Sequence, residues 1–182
     1  MTWKARHEER TDMVTNKQRA ALLSLAFVLA GNAQVARAQQ AVFVLRHAER
    51  AEYESPDGVL SSAGEERARA LARVLADAGV TAVYTSERKR TLQTADPLTQ
   101  ALRIAPTAVG ASPEQVDATL KLVRARDKNG IVVIVGHSDS VPLFLKALGY
   151  SGEVKIGPRE HDDLFVVVPN ATGPPTVLRL NY

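Results

Sequence analysis

Four consecutive apolar residues, Val42-Phe43-Val44-Leu45, stop abruptly at the charged cluster Arg46-His47-Ala48-Glu49-Arg50. A run that short and β-branched reads as a strand buried on both faces, the usual state of a central parallel strand. Val80–Thr85 and Ile131–Val135 repeat the pattern, and each ends in a polar loop, Ser86–Arg90 and Gly136-His137-Ser138. Helical spacing fills the intervals. Ala68, Leu71, Ala72, Leu75 and Ala78 line one face before Gly79, and Val116, Leu120 and Val123 line another before Asn129-Gly130. Leu164–Val168 and Val177–Leu180, separated by Asn170–Pro175, read as a closing hairpin at the sheet edge. Strands alternating with helices predict an α/β fold, a three-layer α/β/α sandwich with a mostly parallel sheet and an antiparallel edge.

Local signals sharpen the boundaries. Ser62 with Glu65 three residues on predicts a capping box at the start of the first helix. Pro97, which lacks an amide donor, predicts a kink in a helix over Thr91–Ala101. Ile104–Ala111 reads as a weak strand, and Ser112-Pro113-Glu114 as a helix start with Ser as cap and Pro at the first position. Val141–Leu148 is a short helix, and Glu52–Gly58 has the composition of a turn.

The beginning of the chain has a different character. Lys17 and Arg19 precede the small and apolar run Ala20–Ala30, and Ala36-Arg37-Ala38 supplies a cleavage signature. The run is far shorter than the ~20 residues that cross a bilayer. Residues 1–38 are therefore expected to be a secretory signal peptide, removed after Ala38 to leave residues 39–182 as one exported, periplasmic domain with no stable membrane span. Met13 is a more ordinary start than Met1. The whole chain holds 23 Lys/Arg and 20 Asp/Glu, of which the first 38 residues hold six and three, leaving 17 of each beyond. The basic balance belongs to the leader, so nothing calls for nucleic acid or an anionic membrane as a partner. No cysteine is present, which excludes disulfides and thiolate chemistry.

Three predicted strand ends carry Arg46, His47 and Arg50, then Ser86, Arg88 and Arg90, then Gly136 and His137. Parallel strands send their carboxyl ends to one edge, so these loops can converge. Forked guanidiniums with two imidazoles suit a tetrahedral dianion. One imidazole can attack phosphorus while the other donates to an equatorial oxygen. A small phosphorylated substrate is the implied partner. No His/carboxylate cluster has metal-ligand spacing, so no metal and no cofactor is expected.

At these residues the chain resembles the histidine phosphatase (phosphoglycerate mutase-like) superfamily. Arg46-His47-Ala48 is similar to its Arg-His-Gly, and Leu60-Ser61-x-x-Gly64-x-x-Arg67-Ala68 to its helix entry. Thr85-Ser86-x-x-x-Arg90-x-x-Gln93-Thr94-Ala95 and Val135-Gly136-His137-Ser138 follow in the family's order. The resemblance implies His47 as nucleophile, with Arg46, Arg90 and His137 holding the phosphoryl group and Arg50 as a further phosphate-binding arginine. By order, Glu114 is the candidate general acid; its place in a helix's first turn explains it equally. Ala48 departs from the usual glycine and is expected to alter the loop's dihedrals slightly. His161 is read as a strand-entrance residue away from the pocket, and Arg67, Arg69 and Arg73 as a solvated helix face with Glu65, Glu66 and Asp77.

The expected function is hydrolysis of phosphomonoesters or phosphohistidine through a phosphohistidine on His47. The alternatives are mutase-type phosphoryl transfer, against which the short spacing between motifs counts, and a phosphate- or sugar-phosphate-binding protein without turnover.

Overall fold

The computed structural model describes residues 41–51, 57–110 and 112–182. The expected signal peptide, the choice between Met1 and Met13, and most of the turn at 52–58 lie outside the described residues.

Six strands form one sheet: β1 (Ala41–Arg46), β2 (Val80–Ser86), β3 (Thr107–Val109), β4 (Ile131–Gly136), β5 (Asp163–Val168) and β6 (Thr176–Asn181). Their order is β3-β2-β4-β1-β5-β6. The pairs β1–β4, β2–β4 and β2–β3 are parallel, whereas β1–β5 and β5–β6 are antiparallel. The α/β sandwich with a mostly parallel sheet and an antiparallel edge is the observed fold.

Among the described residues four helices cover the sheet: α1 (Ser62–Leu75), α2 (Lys89–Leu102), α3 (Val116–Arg126) and α4 (Ser140–Ala147). Strand alternation divides the core by face. Leu45, Val83, Val133 and Val135 pack with Leu71 and Leu75 of α1 and Leu98 of α2. Val44, Val132 and Ile134 pack on the other face with Leu120 of α3 and Phe144 of α4. Burying such a side chain contributes about 1.5–3 kcal/mol, so the continuous apolar runs of β1 and β4 hold both layers to the sheet.

Three local expectations are corrected. The cap of α1 is Ser61, not Ser62: its Oγ accepts from the Gly64 amide at 3.2 Å. The antiparallel bridge between Arg50 and Leu60 keeps the chain extended up to that point and so delays the helix. Pro97 lies inside α2, which runs unbroken because Thr94, Ala95, Leu98 and Thr99 are buried on both sides of it. The segment after Ser112 opens with a 3₁₀ turn, Pro113–Gln115, before α3 begins.

Candidate active site

The parallel arrangement places the ends of β1, β2 and β4 side by side, with Arg46 beside Gly136. The polar residues after these strands line one open cavity of about 500 Å³, which includes Arg46, His47, Arg50, Arg90 and His137. These five side chains, predicted from three separate segments, are brought together. Glu114 is not. It is exposed and absent from the cavity lining, although Pro113 and Gln115 belong to it. Hydrogen bonds from Ser112 and from its own amide hold its carboxyl below the usual range, the opposite of what a general acid needs.

His47 is almost fully buried. Its Nδ1 lies 2.8 Å from the Ala48 carbonyl oxygen. A carbonyl can only accept, so Nδ1 carries the proton and Nε2 keeps the lone pair. Burial first, and then the charges of His137, Arg90 and Arg46, lower the His47 pKa to about 2 despite the Ala48 hydrogen bond. The ring is therefore neutral near pH 7, with a nitrogen free to attack.

His137 is fixed by a second chain of bonds. Thr91 Oγ1 donates to backbone carbonyls of Ser86 and Arg88, so the Ser86 hydroxyl, 2.8 Å away, donates to Thr91. Ser86 Oγ then accepts from His137 Nε2 at 3.0 Å, and Nδ1 accepts from Arg90 Nη2 at 3.3 Å. Burial, then Arg90, lowers the His137 pKa to about 4. The two imidazole centroids stand 5.4 Å apart.

Arg46 is anchored by Nη1, which donates to the carbonyls of Gly157 and Glu160 at 2.7 and 3.0 Å. The Ala48 amide donates to Thr94 Oγ1, which donates to the Arg90 carbonyl, tying the His47 loop to the first turns of α2. Ala48 is fully buried against Leu60 and Ala68. It does not take a positive φ, so the missing glycine costs the loop nothing.

Two supports were not legible in the sequence. His161 is buried directly behind His47, with ring centroids 5.6 Å apart, and its Nδ1 donates to the His47 carbonyl at 2.8 Å. It does not line the cavity, but it does hold the His47 backbone. β5 runs antiparallel to β1, so the entrance of β5 meets the exit of β1. Arg67 is no solvated residue either. It forms a forked ion pair with Glu49, its Nη2 at 2.7 Å, and Nη1 donates to the Tyr182 carbonyl at 2.8 Å. A side chain at Gly64 would strike the Glu49 carbonyl, so only glycine lets α1 approach this loop. The lone clue was the Leu60-Ser61-x-x-Gly64-x-x-Arg67 pattern itself. Among the described residues no group of three or more His, Cys, Asp or Glu is placed to hold a metal ion.

Two neutral imidazoles and three guanidiniums around one cavity suit a tetrahedral oxyanion. The model of the histidine phosphatase superfamily, branch 1, matches residues 42–114 of the chain. Solved structures share the fold at low identity. The protein histidine phosphatase SixA, complexed with tungstate, aligns with a TM-score of 0.61 and 20% identity over 78% of this chain and 96% of its own. Mycobacterial glucosyl-3-phosphoglycerate phosphatase Rv2419c aligns with a TM-score of 0.62 and 12% identity over 78% and 97%. Bacillus stearothermophilus YhfR gives 0.61 and 14% over 76% and 95%. No curated protein sequence matches the chain significantly.

Proposed function

We propose that this chain is a phosphatase that hydrolyses small phosphomonoesters or phosphohistidine through a phosphohistidine formed on His47. The observation that carries the reading is the state of His47: a neutral ring whose Nδ1 proton is engaged by Ala48, leaving Nε2 as a nucleophile beside Arg46, Arg90 and His137. Tungstate, held by SixA, is a tetrahedral oxyanion like the group this cavity would take.

In the first step Nε2 attacks phosphorus and the bond to the leaving group breaks, its electrons passing to the leaving atom. Arginine donors hold the equatorial oxygens and offset their charge as the transition state develops. The cavity is open, so the leaving atom takes its proton from solvent; a phosphoramidate such as phosphohistidine needs the least help. Water then attacks phosphorus, the P–N bond returns its pair to Nε2, and inorganic phosphate leaves. Covalent transfer thus divides one difficult hydrolysis into two easier steps.

Incubation of the full chain with p-nitrophenyl phosphate, followed by rapid quenching, tests the proposal. Turnover with an acid-labile, alkali-stable phosphoenzyme is the expected result. Labelling without net hydrolysis would favour a mutase, and neither signal would favour a binder. The proposal extends to export: mature protein recovered from the periplasm should begin at Gln39, and an intact leader there would overturn that part.

A further inference from the structure

Both ring nitrogens of His137 are engaged within the protein. Thr91 Oγ1 donates to the Ser86 and Arg88 carbonyls, so Ser86 Oγ donates to Thr91. The hydrogen in the contact between Ser86 Oγ and His137 Nε2 must then sit on Nε2. Nδ1 is left with a lone pair, which accepts from Arg90 Nη2 at 3.3 Å. In this state a neutral His137 has no N–H to offer an oxyanion, and its lone pair repels one.

The other neutral tautomer is opposed by the same network. Ser86 would have to donate to Nε2, and Thr91 to Ser86. The Ser86 and Arg88 carbonyls, 2.9 and 2.8 Å from Thr91 Oγ1, would then face oxygen lone pairs in a buried setting. The Arg88 amide, which donates to Ser86 Oγ at 3.3 Å, helps to fix that oxygen as an acceptor. The His137 backbone is pinned as well, its amide on Ser140 Oγ and its carbonyl on the Val141 amide.

The charges around the ring decide when Nδ1 takes a proton. Arg90 and Arg88, at the start of α2, and Arg46, at the end of β1, disfavour an imidazolium, whereas Asp139 on the ring's own loop favours it. His47 stands 5.4 Å away as a neutral ring, and Glu87 and Arg50 line the same cavity with opposite charges. The balance keeps the empty site neutral at His137. A dianion within hydrogen-bond distance of Nδ1 reverses it, since an opposite charge within about 4–6 Å favours the charged form.

We propose that Ser86 is a positioning residue: by keeping the hydrogen of His137 on Nε2, it makes an arriving phosphoryl group bind together with a proton. An oxygen of that group displaces Arg90 Nη2 from Nδ1. A proton from solvent bonds to the Nδ1 lone pair, and the new N–H donates to the oxygen. Arg90 keeps its charge and donates to the same group. The proton returns to solvent when inorganic phosphate leaves. This deepens the phosphatase reading and rests on it for placing the phosphoryl group beside His137.

Calorimetric titration of the full chain carrying His47→Ala with tungstate, in buffers of different ionisation enthalpy, tests this without turnover. Tungstate is a dianion near pH 7, so any proton taken up goes to the protein. Uptake of about one proton per tungstate is expected, with affinity falling about tenfold per pH unit, as linkage requires. Nitrogen-15 spectra should show His137 neutral with its hydrogen on Nε2 in the free chain, and as an imidazolium in the complex. With Ser86→Ala added, Nε2 loses its acceptor and the neutral ring can carry its hydrogen on Nδ1. Uptake should then fall towards zero and the pH slope should flatten; Ser86→Thr, which keeps the hydroxyl, should restore both. The same uptake in Ser86→Ala would overturn the positioning role. A neutral His137 in the complex, tungstate bound without proton uptake, or no binding at all would overturn the coupling. If uptake occurs as expected while the unsubstituted chain hydrolyses no phosphomonoester, the phosphatase reading fails and the coupling stands.

Discussion

The inner end of the cavity and its outer wall are built differently. Inside, four of the groups have a second hold: His47 on Ala48, His137 on Ser86, Arg90 on His137, and Arg46 on Gly157 and Glu160. On the wall, Arg88 is half-buried and Ser112 and Gln115 are exposed. Fixed dipoles are what phosphoryl transfer needs, because they stabilise charge without reorganising. Recognition of a leaving group tolerates looser walls. On the proposed reading, the reaction would use the anchored half.

Breaking the inner half should cost most. His47→Ala should reduce turnover by on the order of 10⁴-fold or more while circular dichroism keeps its folded form. Activity near wild type in a folded variant would remove the nucleophile from the account. Arg90→Ala should lower kcat by about 10²–10³-fold, the loss typical of a charge-stabilising donor. An effect on KM alone would move Arg90 to the recognition half.

Acid should weaken the inner half through its buried histidines. The folded values of His47 and His137, about 2 and about 4, lie below the ~6.5 of an unfolded imidazole. The unfolded chain therefore binds more protons, and stability falls as pH drops below about 6.5. Between pH 7 and pH 5 each ring should remove about 2 kcal/mol, read from guanidinium unfolding midpoints. A flat profile would contradict their burial in neutral form.

Glu49→Gln should have a smaller effect, near tenfold on kcat with little on KM, since Glu49 positions the loop and does not line the cavity. Burial raises the Glu49 pKa, but the Arg67 hydrogen bonds more than offset this and leave it lowered. Its contribution to stability is thus present above the unfolded carboxyl value and lost as pH falls through the folded one. The variant should lose that acid-side dependence. Glu114→Gln should change kcat/KM by less than about twofold, as an exposed residue outside the cavity. A large loss would return it to the reaction.

The parts legible in the sequence were those with a local signature. Apolar runs at β1, β2 and β4 announced central strands, and parallel strands made the convergence of Arg46, Arg90 and His137 a matter of geometry. His161 lies off the cavity wall as expected, but its bond to the His47 carbonyl was missed through the topology. An antiparallel edge was expected, yet its reversal brings the start of β5, and not its end, to the site. Arg67 looked like one charge among several on a helix, because its partner Glu49 belongs to a distant loop and no spacing rule connects them. Glu114 shows the opposite error. Order along the chain suggested a role, but the 3₁₀ turn at Pro113–Gln115 turns its carboxylate to solvent.

The bonds that secure the nucleophile have a consequence for biosynthesis. His161 to His47 joins residues 114 apart, and Tyr182 to Arg67 joins residues 115 apart. A nascent polypeptide that has already made β1 and its arginine-rich loop cannot lock them until residues 161 and 182 have been translated. Ribosome-bound intermediates would leave the His47 imidazole without its supports. The loop after β1 is thus secured only after β5 and β6 have joined the sheet.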